Sequence, residues 1–283
     1  MPFATVNGIT IHYEVQGRGV PLVLISGFGG GMESWVFQVP LLRTHFQLIR
    51  FENRGIGKTD SPPGPYTMTS LADDVIGLLD HLGIECANIL GISMGGMVAQ
   101  EIAINHPARV LKLVLASTYA CQDDHSGLTS EYEAAVLRSG RVTEKGLYSF
   151  AFNNPWLRFL IRKFASKPTE RESKVGCEGQ ESAIMKHNTL DRLHVIEAPT
   201  LVMVGTKDRL IRPSSSDVIA SSIPHAKLVR IEGGSHALNV EKRKEFNSAV
   251  LSFLSPAAAI EPEAALHPPE AERAEDATSP RTA

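Results

Sequence analysis

Short apolar runs and amphipathic stretches alternate along most of the 283-residue chain. Residues 10–15 switch between polar and apolar side chains, the period of a half-buried antiparallel strand. Residues 21–25 are continuously apolar, as a central parallel strand should be. Further strands are predicted at 46–51, 88–92, 110–116, 199–204 and 226–231. Thr69 is expected to cap a helix with Leu71, Ala72, Val75, Ile76, Leu78, Leu79 and Leu82 on its inner side. Asp73 and Asp74 are placed on the solvated face of that helix, near its positive end. Strands alternating with helices predict an α/β fold, a mostly parallel central sheet with helices on both faces.

The alternation pauses over 121–195. Helical patches occur at 132–137 and 147–152, and no convincing strand is visible. Trp156, Leu157, Phe159, Leu160, Ile161 and Phe164 are interleaved with Arg158, Arg162 and Lys163. A membrane-surface helix is one reading of that mixture. Its position between two strands of an α/β pattern favours an inserted helical lid over the sheet edge. The predicted organisation is a core over 1–120, a lid over 121–195, the rest of the core over 196–255 and a tail over 256–283. The tail is rich in Ala, Pro and Glu and is expected to be disordered.

Candidate chemistry sits where predicted strands end. Gly91-Ile92-Ser93-Met94-Gly95 follows one strand and opens a helical pattern containing Met97, Val98, Ile102 and Ala103. A sharp strand-to-helix turn would hold Ser93 in a strained conformation, with glycines where Cβ atoms would crowd. An N-capping serine is the plainer reading of the same five residues. Ser26-Gly27-Phe28-Gly29-Gly30-Gly31 follows the 21–25 strand, and its backbone N–H groups could approach an anion. Met32 stands where a dinucleotide loop needs its third glycine. Gly57-Lys58-Thr59 imitates a phosphate loop, but Glu52 replaces the required first glycine and Ser61-Pro62-Pro63 follows in place of a helix. Asp208 lies just past the 199–204 strand, and His236 just past the 226–231 strand. A carboxylate beyond a strand's C-terminal end is where open α/β sheets carry their chemistry.

Composition narrows the choice further. The three cysteines, Cys86, Cys121 and Cys177, are far apart and lack C-x-x-C spacing, so neither a disulfide framework nor a metal site is expected. The net charge of −3 resides in the tail, whose six acids and two bases leave the remainder near neutral. Nucleic acid is therefore not an expected partner. No run is long enough to span a bilayer, and no basic region followed by an apolar stretch opens the chain. A cytoplasmic setting is the expectation.

The order Ser93, Asp208, His236, with the serine turn and the glycine-rich loop, resembles the α/β-hydrolase superfamily over about residues 9–254. Asn53-Arg54-Gly55-Ile56-Gly57-Lys58-Thr59, Ser34-Trp35, Gly205-Thr206-Lys207-Asp208 and Gly234-Ser235-His236 are similar to recurring features of capped esterases and lactonases of the 3-oxoadipate enol-lactonase type. The resemblance implies a serine hydrolase of small carboxylic esters or lactones that needs no cofactor. Ser93 would be the nucleophile, His236 the base and Asp208 its orienting partner. By family position, the Phe28 and Met94 N–H groups would form the oxyanion hole; Trp35 and, through the aromatics of the lid, Trp156 are candidate substrate contacts. C–C bond hydrolases and perhydrolases use the same three residues, and a ligand-binding receptor on this fold could retain them. The chain departs from its relatives at Ser26, where they usually carry His, and at Glu52, where they often carry Asp.

Overall fold

The computed structural model describes residues 2–123, 125–139, 144–164 and 174–255. The chain enters through β1 (Phe3–Val6), β2 (Ile9–Gln16) and β3 (Val20–Ile25), then α1 (Val39–Leu42) and β4 (Phe46–Phe51). It continues through α2 (Met68–His81), β5 (Ala87–Ile92), α3 (Met94–Asn105) and β6 (Val110–Ala116). After the 121–195 block come β7 (Thr200–Gly205) and β8 (Lys227–Ile231), separated by the predominantly polar helix Ser214–Ser222. Two helices close the described chain, Leu238–Glu241 and Arg243–Leu254.

The eight strands form one sheet in the order β1-β2-β4-β3-β5-β6-β7-β8. The β1–β2 and β2–β4 pairs are antiparallel, and every pairing from β4 to β8 is parallel. The parallel strands read as continuous apolar runs because both of their faces are buried. Val23, Ile25, Ile89, Leu113, Leu115 and Val202 point into a core shared with α2 and α3. Leu22, Leu24, Leu90, Val114, Leu201 and Met203 point into a second core, with Leu42 of α1 and Phe246, Val250 and Leu254 of the last helix. Each strand from β3 to β7 feeds both cores through its period-2 alternation.

Two expectations are corrected, and β1 adds to the strands predicted from sequence. The α2 cap is Thr67, not Thr69: its hydroxyl accepts from Ser70 N–H while Ser70 Oγ accepts from Thr67 N–H, a closed capping box. Asp74 is 2% exposed rather than solvated. Its two oxygens take Arg54 Nε and a terminal guanidinium nitrogen at 2.6 Å each, a bidentate pair that carries the carboxylate into the interior.

The 121–195 block holds α4 (Ser130–Ser139), α5 (Glu144–Ala151), α6 (Pro155–Phe164) and α7 (Lys174–Met185). The basic–aromatic stretch is α6, started by Asn154 Oδ1, which accepts from the Trp156 and Leu157 N–H groups. Among the described residues, no helix is long and apolar enough to cross a membrane. The tail expected to be disordered, residues 256–283, lies outside the described residues.

Candidate active site

Ser93 stands between β5 and α3 at φ 57° and ψ −123°, a conformation that L-residues avoid. Its backbone is fixed from both sides. The Ser93 N–H donates to Ala116 O on β6 at 2.9 Å, and Ser93 O accepts from Gly96 N–H at 2.9 Å. The flanking glycines are required by contact. A Cβ on Gly91 would lie 2.1 Å from Gly95 O, and one on Gly95 would lie 2.1 Å from Ile25 O. The side chain of Ser93 makes no capping hydrogen bond, so the plainer reading of this serine as a helix cap is set aside. Its hydroxyl stands at the N-terminus of α3, where unpaired N–H groups and the helix dipole favour negative charge.

Asp208 follows β7 and His236 follows β8, on the same carboxyl edge of the sheet as Ser93. His236 Nδ1 and Asp208 Oδ2 are 2.9 Å apart. The other carboxylate oxygen accepts from Leu210 N–H and Ile211 N–H, both at 2.9 Å. Both side chains are buried, Asp208 at 5% exposure and His236 at 7%. A carboxylate held by two amides and an imidazole cannot rotate freely. It directs the Nδ1 proton toward itself and leaves Nε2 as the basic atom. Ser93 Oγ and His236 Nε2 are not hydrogen-bonded to each other; such catalytic bonds tighten in the complex with substrate.

The glycine-rich loop lies against the serine. A Cβ on Gly27 would stand 3.2 Å from Ser93 Cβ and 3.6 Å from Ser93 Oγ. Ser26 braces this loop. Its hydroxyl donates to Gly31 O at 3.0 Å and accepts from Trp35 Nε1 at 3.0 Å, while Ser26 O accepts from Asn53 Nδ2 at 3.3 Å. The Phe28 and Met94 N–H groups donate to no other described residue.

Trp35, expected to contact substrate, is closed off from solvent. Its ring is fully buried in the core that contains Leu22 and Leu42, and its indole N–H is spent on Ser26. Trp156 is 73% exposed on α6, edge-on to Phe159. Glu52 also has a structural role. Its carboxylate accepts from Lys58 N–H at 2.7 Å and pairs with His12 Nδ1 at 2.9 Å, so the turn imitating a phosphate loop closes on an internal anion. Sequence reasoning missed Gln180, an α7 residue whose side chain accepts from Gly29 N–H. It lies in no motif, and nothing local marks it. Among the described residues, no group of three or more His, Cys, Asp or Glu is placed to hold a metal ion.

Residues 20–243 match the family model for the alpha/beta hydrolase fold. The chain belongs to the α/β-hydrolase family. RutD of Rhizobium rhizogenes, named as a carbamate hydrolase, is 31% identical over 86% of this chain and 97% of its own length. The 3-oxoadipate enol-lactonase 2 of Acinetobacter baylyi is 30% identical over 87% of this chain and 93% of its own. The crystal structure of the enol-lactonase from Burkholderia xenovorans is 29% identical, with a TM-score of 0.78 over 89% of this chain and 99% of that one. This α/β-hydrolase thus matches relatives named for a carbamate and for an enol-lactone.

Proposed function

We propose that this α/β-hydrolase is a serine hydrolase of a small carboxylic ester or lactone, acting through an acyl-enzyme. The observation that carries the reading is the strained Ser93 on the same sheet edge as the hydrogen-bonded His236–Asp208 pair. His236 Nε2 takes the proton of Ser93 Oγ as that oxygen attacks the carbonyl carbon. Asp208 keeps the imidazole in the productive tautomer and stabilises the imidazolium. Phe28 and Met94 N–H groups hold the oxyanion of the tetrahedral intermediate; one such donor is typically worth about 3–4 kcal/mol of barrier. His236 then protonates the leaving alkoxide oxygen, and a water deprotonated by His236 cleaves the acyl-enzyme.

A second reading is favoured by the relative named as a carbamate hydrolase. The same steps cleave a carbamate when His236 protonates nitrogen instead of oxygen. Labelling with a fluorophosphonate probe tests what both readings share. Wild-type protein is expected to be labelled and Ser93→Ala to remain unlabelled with its fold intact. Hydrolysis of p-nitrophenyl esters, lactones and carbamates then ranks the substrates. Equal labelling of the variant refutes Ser93 as nucleophile. Tight binding of these compounds without turnover would mark a receptor instead.

A further inference from the structure

Gln180 lies on α7, a helix of the 121–195 block, yet its side chain is fully buried. Its Oε1 accepts from Gly29 N–H at 3.1 Å, in the loop that follows β3. Its Nε2 donates to Arg54 O at 3.0 Å, in the loop that follows β4. One amide therefore ties the lid to two loops of the core. A buried glutamine used only for packing would be a poor choice, because leaving either end unpaired costs about 1–3 kcal/mol.

The helix is built to come this close. A Cβ on Gly176 would lie 2.1 Å from Gly55 O, and a Cβ on Gly179 would lie 2.5 Å from the Tyr66 ring. Glycine inside a helix costs about 1 kcal/mol relative to alanine. Here the two glycines let the α7 backbone rest on the β4 loop, where Gln180 can reach. The consequence falls on the neighbouring residue. With Gly29 N–H held by Gln180, the Phe28–Gly29 peptide is fixed from the lid side; the adjoining Gly27–Phe28 peptide, which carries the Phe28 N–H, is closed by Gly30 N–H donating to Gly27 O at 3.0 Å, so the two bonds together set the Phe28 backbone. The Phe28 N–H, which donates to no other described residue, is left available for substrate.

We propose that Gln180 is a positioning residue: seated α7 orients the Phe28 N–H as an oxyanion donor, so lid docking and transition-state stabilisation are coupled. The inference rests on Ser93 being the nucleophile. A misplacement of about 1 Å in such a constellation can cost on the order of 100-fold in rate, and loss of a whole donor about 100- to 1,000-fold.

The test uses Gln180→Met, close in shape but lacking both hydrogen bonds, and Gly176→Ala, which lifts α7 while leaving Gln180 in the chain. Active sites are first counted by fluorophosphonate labelling, so that partly unfolded protein does not enter the rate. Turnover of p-nitrophenyl acetate per labelled site is then measured, with the affinity of a trifluoromethyl ketone analogue of the tetrahedral intermediate and of acetate. For both variants, kcat per site is expected to fall about 10- to 100-fold with KM within about threefold. Ketone affinity should fall in parallel, and acetate affinity should hold. Both variants keeping kcat and ketone affinity within about twofold of wild type would overturn the coupling. Absence of labelled sites in both would place α7 in folding instead and would also overturn it. Failure of the wild type itself to label would remove the Ser93 reading, and this inference with it.

Discussion

Ser93 sits at a backbone angle that costs on the order of 1–3 kcal/mol, held because neighbouring atoms leave it no alternative. Gly95 is part of that constraint. Its missing Cβ makes room for Ile25 O, and a methyl group there would stand 2.1 Å from the oxygen. Gly95→Ala must push β3 and α3 apart at the point where the glycine-rich loop meets the serine. The expected result is a loss of about 2–4 kcal/mol in urea unfolding, in the range of overpacked cores and incompatible backbones, with fluorophosphonate labelling reduced at least tenfold. A variant that labels at the wild-type rate would mean that the elbow tolerates the displacement. The placement of Ser93, Asp208 and His236 beyond strand ends was legible because each follows an apolar-rich run that becomes a strand. Trp35 was not, because whether an indole meets substrate or a serine hydroxyl depends on a partner nine residues away in sequence and on the loop between them. Gln180 was invisible for the same reason at larger separation, since its partners lie 151 and 126 residues distant.

Elements whose two faces are both buried announced themselves. β6 runs from Val110 to Ala116, as its apolar run, interrupted only by Lys112, predicted. β1 is four residues long with every second side chain exposed, too short a pattern to separate from a loop. The helix Ser214–Ser222 opens on three serines and has only Ile219 as a buried aliphatic residue, so no inner stripe was visible. α2 was predicted as an element but misjudged on one face. Its Asp74 is the only charge of the helix in the interior among the described residues, and it is matched by Arg54 from the β4 loop. Burial pushes the Asp74 carboxyl up, opposed by the Arg54 guanidinium. Asn7 Nδ2 also reaches Asp74, at 3.4 Å. Asp74→Asn would leave the Arg54 charge largely buried and without its counterion. The expected cost is about 3 kcal/mol in a denaturant titration, the scale of a broken buried pair. A change below about 1 kcal/mol would assign the pair to the weak surface class.

At the scale of the whole molecule, the 121–195 block returns to the core through His187, which is buried beside Tyr119 just beyond β6. His187 Nε2 lies 3.2 Å from Tyr119 O. A carbonyl can only accept, so the proton is on Nε2, and Nδ1 is left buried with no partner. Burial lowers the imidazole from its ordinary 6.5 to about 4; nearby Glu101 opposes that shift and Arg192 adds to it. The unfolded chain therefore binds a proton at this residue between about pH 6.5 and pH 4 that the folded chain refuses. Stability contributed by the neutral ring is present above pH 6.5 and is lost as pH falls toward 4. His187→Phe keeps an aromatic ring against Tyr119 and removes the titration. Tyr119 O retains its bond from Gln100 Nε2 at 3.1 Å. Unfolding free energies at pH 7.5 and pH 4.5 should show the wild type losing roughly 2 kcal/mol more than the variant over that interval, about 1.4 kcal/mol for each unit of displacement that is crossed. Equal losses in the two proteins would mean that His187 is protonated in the native state, and the acid sensitivity would then have to arise elsewhere in the fold.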